Sequence, residues 1–283
     1  MEVLKNKKLN DDLSENGYVI TNLLTNEDIT ALENFYYEET PAELLKTYTT
    51  FATNNIEYKK KTDEFVKKII QENARHLFTE EYIPFWGNYM LKVSGKESNM
   101  PLHADWQYVD EPKKISMNLW VPLIDTDTNN GALQVIPSSH KAVNFPRGVN
   151  LPRYYEEEEF VLKRKFGKIL TLKKGQAIIY DHRLLHYSMP NLSKTNRLAV
   201  TLIYVPSETP INYFYFNRQE NQYYKYFINS YHCLIESDYF EAPANYLKKE
   251  KIFLPEKLSY SIKDRLNEGK GVLSRFFDNL ISQ

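Results

Sequence analysis

The segment Pro-Leu-His-Ala-Asp-Trp at 101–106 holds two residue types that ligate transition metals, at a spacing that lets them act together. His103 and Asp105 are two apart, so on a strand both side chains project from one face while Ala104 points away. A third ligand must come from elsewhere. The best candidate is His186 in YDHRLLHYSMPN, far downstream at the end of another predicted strand. Two histidines and one carboxylate make the facial triad of non-haem Fe(II) oxygenases, which leaves the opposite positions on the metal open. Two of these can take the carboxylate and carbonyl of a 2-oxo acid, and the last can take dioxygen beside a substrate.

Arg197 lies 11 residues after His186 and begins the otherwise apolar run RLAVTLIYV. A planar guanidinium suits the distal carboxylate of a dicarboxylic co-substrate through a bidentate pair. His182 precedes His186 by four residues, the spacing of helical zinc sites. No glutamate accompanies it and GQAIIYD before it reads as a strand, so His182 is expected to support the site rather than bind metal. His76, His140 and His232 are expected to be structural.

The elements that must position these residues change character along the chain. Residues 9–25 read as a short helix, a turn at Asn16-Gly17 and a strand from Tyr18 to Ile20. Thr25 then reads as an N-cap with Asp28 three residues on and apolar positions at Ile29, Leu32 and Phe35. Phe65, Val66, Ile69 and Ile70 mark a second amphipathic helix over 57–76. From Trp86 to Pro206 the period becomes two. FWGNYMLKV, KKISMNLWVPLI, GALQVIP, GKILTL, QAIIYD and RLAVTLIYVP read as strands, which predicts a mainly β jelly roll or cupin-like barrel with flanking helices. NYFYFNRQENQYYKYFINSYH fits strand, helix or both. Two short amphipathic helices are expected near the C-terminus, packed on the barrel or forming a homodimer contact.

Composition sets wider limits. The 283 residues carry 36 Lys and Arg against 37 Asp and Glu, so no overall field favours nucleic acid or an anionic membrane. No apolar run reaches the roughly 20 residues that span a bilayer. The single cysteine, Cys233, excludes an internal disulfide, and no signal-like stretch opens the chain, so a cytoplasmic location is expected. One domain over 1–283 is the expected organisation, with a core of about 9–206 and a C-terminal extension, 207–283, of unassigned role.

Taken together, LSENGYVITNLLTNEDITALENFY, LHADWQY, NNGALQVIPSSHK and HYSMPNLSKTNR resemble, in this order, four segments of the phytanoyl-CoA dioxygenase family of 2-oxoglutarate oxygenases. The resemblance covers roughly residues 9–206. It implies a double-stranded β-helix core, Fe(II) on His103, Asp105 and His186, 2-oxoglutarate on Arg197, and dioxygen as second co-substrate. Related halogenases carry Gly or Ala at the carboxylate position, so Asp105 implies oxygenation. The family's Pro-Gly-Ser-His turn is Pro137-Ser138-Ser139-His140 here.

The serine that some such enzymes carry two residues after the arginine is Ala199 here. Another strand must therefore supply a second anchor. Asn118 is a candidate, since KKISMNLWVPLI puts Ser116, Asn118 and Trp120 on one face. Asn88 reaches the same place by parity on FWGNYMLKV, with a strand-to-strand hydrogen bond as its alternative role. Trp106 and Tyr108, just after the metal strand, are candidate substrate contacts at the barrel mouth. The expected activity is hydroxylation of a small-molecule substrate with release of succinate and CO2. A zinc-dependent hydrolase with the same ligands and a non-catalytic cupin-like binding domain stand as alternatives. Segments 142–165 and 207–250 are expected to carry specificity.

Overall fold

The computed structural model describes residues 2–44, 48–111, 113–153, 155–228, 232–238 and 240–254. Helices α1 (Lys7–Asn16), α2 (Asn26–Glu39) and α3 (Ile56–Ala74) bracket the first strand, β1 (Tyr18–Asn22). There follow β2 (Tyr82–Lys92), β3 (Met100–His103), β4 (Met117–Pro122), β5 (Leu133–Val135), α4 (Glu159–Phe166), β6 (Lys168–Ile169), β7 (Gln176–Asp181), β8 (His186–Ser188) and β9 (Arg197–Pro206). Beyond them lie β10 (Ile211–Asn217), β11 (Gln222–Ile228), α5 (His232–Glu236) and β12 (Lys248–Ile252).

Local chemistry accounts for the helical preface. Gly17 ends α1 at φ 83°, a left-handed turn that glycine adopts without a Cβ clash. Thr25 and Asp28 close a reciprocal capping box at the start of α2, with Asp28 N–H donating to Thr25 Oγ1 at 3.2 Å and Thr25 N–H to Asp28 Oδ2 at 3.0 Å. Along α3 the buried residues Tyr58, Thr62, Val66, Ile70 and Ala74 recur every fourth position, which makes a single inward stripe. The stripe lies close on β2: a Cβ added to Gly87 would sit 2.9 Å from Val66 Cγ1, so only glycine permits this approach.

The barrel consists of two antiparallel sheets. Five strands run in the order β1-β7-β4-β9-β2, and four run β3-β8-β5-β6. The helices cover the outer face of the larger sheet, where Val66, Ile70, Tyr89, Leu119, Ile179 and Leu202 share one core. Between the sheets Trp120, Val135, Ile178, Tyr180, Leu184 and Ala199 form a second. This is a double-stranded β-helix, mostly β with a few helices.

Several boundaries depart from the expectations. GKILTL pairs as a strand only over Lys168 and Ile169, after which Leu170 N–H still bonds Leu133 O but Leu172 turns to Thr126. The ambiguous aromatic segment is a hairpin as far as Ile228, with Asn217 Oδ1 accepting from the N–H of Gln219 and Glu220 to set its turn. Ser138 adopts φ 62°, where the related turn has glycine. The roughly 1–2 kcal/mol cost of that conformation is opposed by bonds from Ser138 N–H to Asn16 O and from its Oγ to Glu15 O. The C-terminal helices, and the dimer contact tied to them, lie outside the described residues.

Candidate metal centre

Asp105 is not on a strand. β3 ends at His103 and the next residues run as irregular backbone, while His186 opens β8 after a tight turn from Asp181. The ladder still pairs His103 with His186 directly, bringing their ring centroids to 4.2 Å. One ligand atom from each of His103, Asp105 and His186 lies within 4.8 Å of the others, as a single metal ion requires. Asp105 Oδ1 is 3.5 Å from His186 Nε2 and 3.8 Å from His103 Nε2.

Backbone carbonyls fix the imidazoles. His103 Nδ1 pairs with Pro101 O at 2.8 Å and His186 Nδ1 with Leu184 O at 2.9 Å, so Nδ1 is assigned as the donor and each Nε2 lone pair faces the centre. Burial, reinforced by His186, pushes His103 down to about 4, keeping it neutral at physiological pH. Burial alone would raise Asp105, but His186, His182, His103 and the Asn118 hydrogen bond together hold its carboxyl well below the usual range. A neutral imidazole at His103 beside an ionised carboxylate at Asp105 is the protonation state that binds metal.

The other oxygen of Asp105 is held separately. Asn118 Nδ2 donates to Asp105 Oδ2 at 3.1 Å and to Tyr180 OH at 2.9 Å, and Tyr180 OH donates to Oδ2 at 3.0 Å. Asn118 and Tyr180 are direct partners across β4 and β7, which places both side chains on the inner face. Arg147 fixes the backbone, its Nε donating to Asp105 O at 2.7 Å while Nη1 and Nη2 engage the buried Glu111 carboxylate. Breaking such a buried pair from one side costs about 3–5 kcal/mol. Glu111→Gln is therefore expected to lower the denaturant midpoint clearly without changing the unfolding slope; an unchanged midpoint would show that the pair carries no such weight.

The remaining sequence candidates occupy varied places. Asn88 is enclosed by Thr49 Oγ1, which donates to its Oδ1, and Thr201, which accepts from its Nδ2: a bond between neighbouring strands and the 48–51 segment. Tyr108 lines the cavity against Phe85 and His182, and Trp106 lines it with its ring edge on Tyr213. His182 is fully buried. Its Nδ1 faces Ser116 Oγ and Trp106 O, and its Nε2 lies 4.0 Å from Asp105 Oδ2.

Arg197 begins β9 on the same face as Thr201 and Ile203, two cavity-lining residues. Its guanidinium stacks 5.2 Å from the Trp120 ring, and Nη1 donates to Gly131 O. Burial pulls it down to about 10, still charged at neutral pH, with Tyr48 acting in the opposite sense. Sequence reasoning missed Tyr48, Arg147 and Tyr180. Tyr180 was within reach, because inward parity on QAIIYD opposite Asn118 requires only the β4–β7 pairing; Arg147 and Tyr48 lie on irregular backbone with no period to read.

The cavity measures about 350 Å³ and draws its walls from both sheets and from the 145–153 loop. Three buried polar atoms around the centre have no hydrogen-bond partner among the described residues: Asn118 Oδ1, His182 Nε2 and Arg197 Nε. Such groups are costly unless a ligand or water satisfies them. The donor set therefore fits a metal with an anionic co-ligand extending toward Arg197.

Known proteins agree with this architecture. Phytanoyl-CoA dioxygenase of Arabidopsis thaliana is 31% identical over 129 residues, covering 42% of this chain and 43% of that protein, so the chain matches less than half of its length. In fold, the chain is similar to EctD from S. alaskensis, with TM-score 0.50 and 17% identity over 73% of this chain and 79% of that one. HygX from Streptomyces hygroscopicus, solved with nickel and 2-oxoglutarate, gives TM-score 0.50 and 14% identity over 72% and 88%. Residues 13–199, which hold the candidate metal cluster of His103, Asp105 and His186 together with Arg197, match the family model described as phytanoyl-CoA dioxygenase (PhyH), and the chain belongs to that family.

Proposed function

We propose that this chain is an Fe(II)- and 2-oxoglutarate-dependent oxygenase that hydroxylates an unactivated C–H bond of a small metabolite or natural-product intermediate. The observation that carries this is the convergence of His103 Nε2, His186 Nε2 and Asp105 Oδ1 on one point, with Arg197 on the same barrel's inner face. In this reading those three atoms hold iron and Arg197 holds the distal carboxylate of 2-oxoglutarate. The bound iron, with 2-oxoglutarate and dioxygen, supplies the oxidising chemistry and yields succinate and CO2.

The chain's own residues then orient and enclose. Asn118 and Tyr180 leave Asp105 Oδ1 free for the centre by occupying Oδ2. Asp105 itself fills the position that halogenases leave open, which favours oxygenation. Phe51, Met90, Trp106, Tyr108, Phe145 and Leu151 wall the cavity, which suits a compact, largely apolar substrate and keeps bulk water away. The catalytic unit is the 9–206 core of a single domain.

Purification without oxygen, followed by Fe(II) and 2-oxoglutarate, is expected to produce a weak visible charge-transfer band. Candidate substrates are then screened by stimulated succinate release. Tight zinc binding without such a band would favour a hydrolase and sink the proposal. Tyr180→Phe removes one hydroxyl from Asp105 Oδ2 and is expected to weaken metal affinity roughly 10- to 100-fold, read by competition with a chromogenic chelator. Wild-type affinity would remove Tyr180 from the site.

A further inference from the structure

Lys92 and Arg197 are direct partners across the β2–β9 ladder, so their side chains leave the same face of the sheet. Both are almost fully buried, at 2% and 3% exposure. Opposed like charges on neighbouring strands repel, and a buried charge without a counter-ion is expensive. Among the described residues no carboxylate pairs with either: Lys92 feels chiefly burial and Arg197, and Arg197 feels burial and Tyr48. The Lys92 ammonium donates to Ser98 O, and Arg197 Nη1 donates to Gly131 O.

The two side chains meet at Gly131. That residue's carbonyl takes Arg197, while a Cβ placed on it would lie 2.7 Å from Lys92 Cδ. Burial and the neighbouring guanidinium push Lys92 down to about 7, the direction in which an anion would act oppositely. Arg197 Nε is buried without a partner beside them. Two neighbouring basic side chains with an unused donor suit a carboxylate, which accepts bonds through both oxygens.

We propose that Lys92 is a second cationic anchor for the distal carboxylate of the 2-oxo diacid, shared with Arg197. The inference rests on the co-substrate reading above and deepens it: two charges, rather than one, select a dicarboxylate over a 2-oxo monoacid. Lys92 is here a positioning residue. Its rival role is a tie between β2 and the 94–98 loop, where Asn191 already bonds Lys92 O and Ser98 Oγ.

The two roles give opposite results. The full chain, loaded with Ni(II), is titrated by calorimetry with 2-oxoglutarate and with 2-oxobutyrate, which lacks the distal carboxylate, and is melted without either acid. Lys92→Met is expected to lose about 10-fold or more in 2-oxoglutarate affinity and to bind 2-oxobutyrate as the wild type does. It should melt no lower, since a buried charge without a counter-ion has been removed. Lys92→Arg, which keeps the charge, should retain most of the preference for the diacid. Wild-type 2-oxoglutarate affinity in Lys92→Met, or equal weakening toward both acids, overturns the proposal; so does a Lys92→Met that fails to fold together with a Lys92→Arg that has lost the preference. Failure of the wild type to bind 2-oxoglutarate at all overturns the co-substrate reading itself, and the wild-type titration alone reports it.

Discussion

Asp105→Ala is expected to abolish turnover and to leave the purified protein without stoichiometric iron. Asp105 is the only carboxylate in the three-residue cluster, and its Oδ1 completes the donor triangle with two imidazole nitrogens. Its charge is also what makes the cluster attractive to a divalent cation, because burial keeps the His103 imidazole neutral. Alanine further strands the Tyr180 hydroxyl, which donates to Oδ2, and leaves Asn118 Nδ2 only its bond to that hydroxyl. A buried polar group left without its partner costs about 1–3 kcal/mol, so some loss of stability accompanies the loss of metal. Metal analysis and succinate release under saturating Fe(II) check the result. A fully active Asp105→Ala would remove the metal assignment outright.

Arg197→Gln should leave iron in place and damage co-substrate binding. The guanidinium is held from the side by Trp120 and from one nitrogen by Gly131, which aims what remains at the barrel interior. A hydrogen bond to a charged group contributes about 1.5–3 kcal/mol, so losing a bidentate pair weakens binding by roughly 100-fold or more. The expected signature is a raised KM for 2-oxoglutarate with wild-type iron content and a maximal rate largely recovered at saturation. An unchanged KM would move the co-substrate's distal end elsewhere in the cavity.

What was legible in the residues, and what was not, follows from where periodicity operates. QAIIYD and RLAVTLIYVP have the bounds of β7 and β9 because alternation and flanking turn residues both mark them. The Thr25–Asp28 box placed α2 because capping is a local interaction. His103 and Asp105 were read as one strand face, yet the strand stops at His103; the two still face one point because Arg147, Asn118 and Tyr180 hold the aspartate. Those contacts span long sequence separations, so no local pattern could display them. Asn118 illustrates the same limit. Its inward direction was evident from parity, but the bond to Asp105 depends on which strands lie beside β4.

Arg147 has a mechanical consequence. It belongs to the loop that walls the cavity, and its Nε grips the carbonyl of the metal-facing aspartate at 2.7 Å. Further along, Glu159 at the start of α4 accepts the N–H of Leu102, one residue before His103. The wall and the 102–105 segment are thus coupled at two points on either side of His103. A molecule that drew this loop inward would therefore also pull on the backbone that carries His103 and Asp105, so the cavity wall and the metal cluster are tied as one lever.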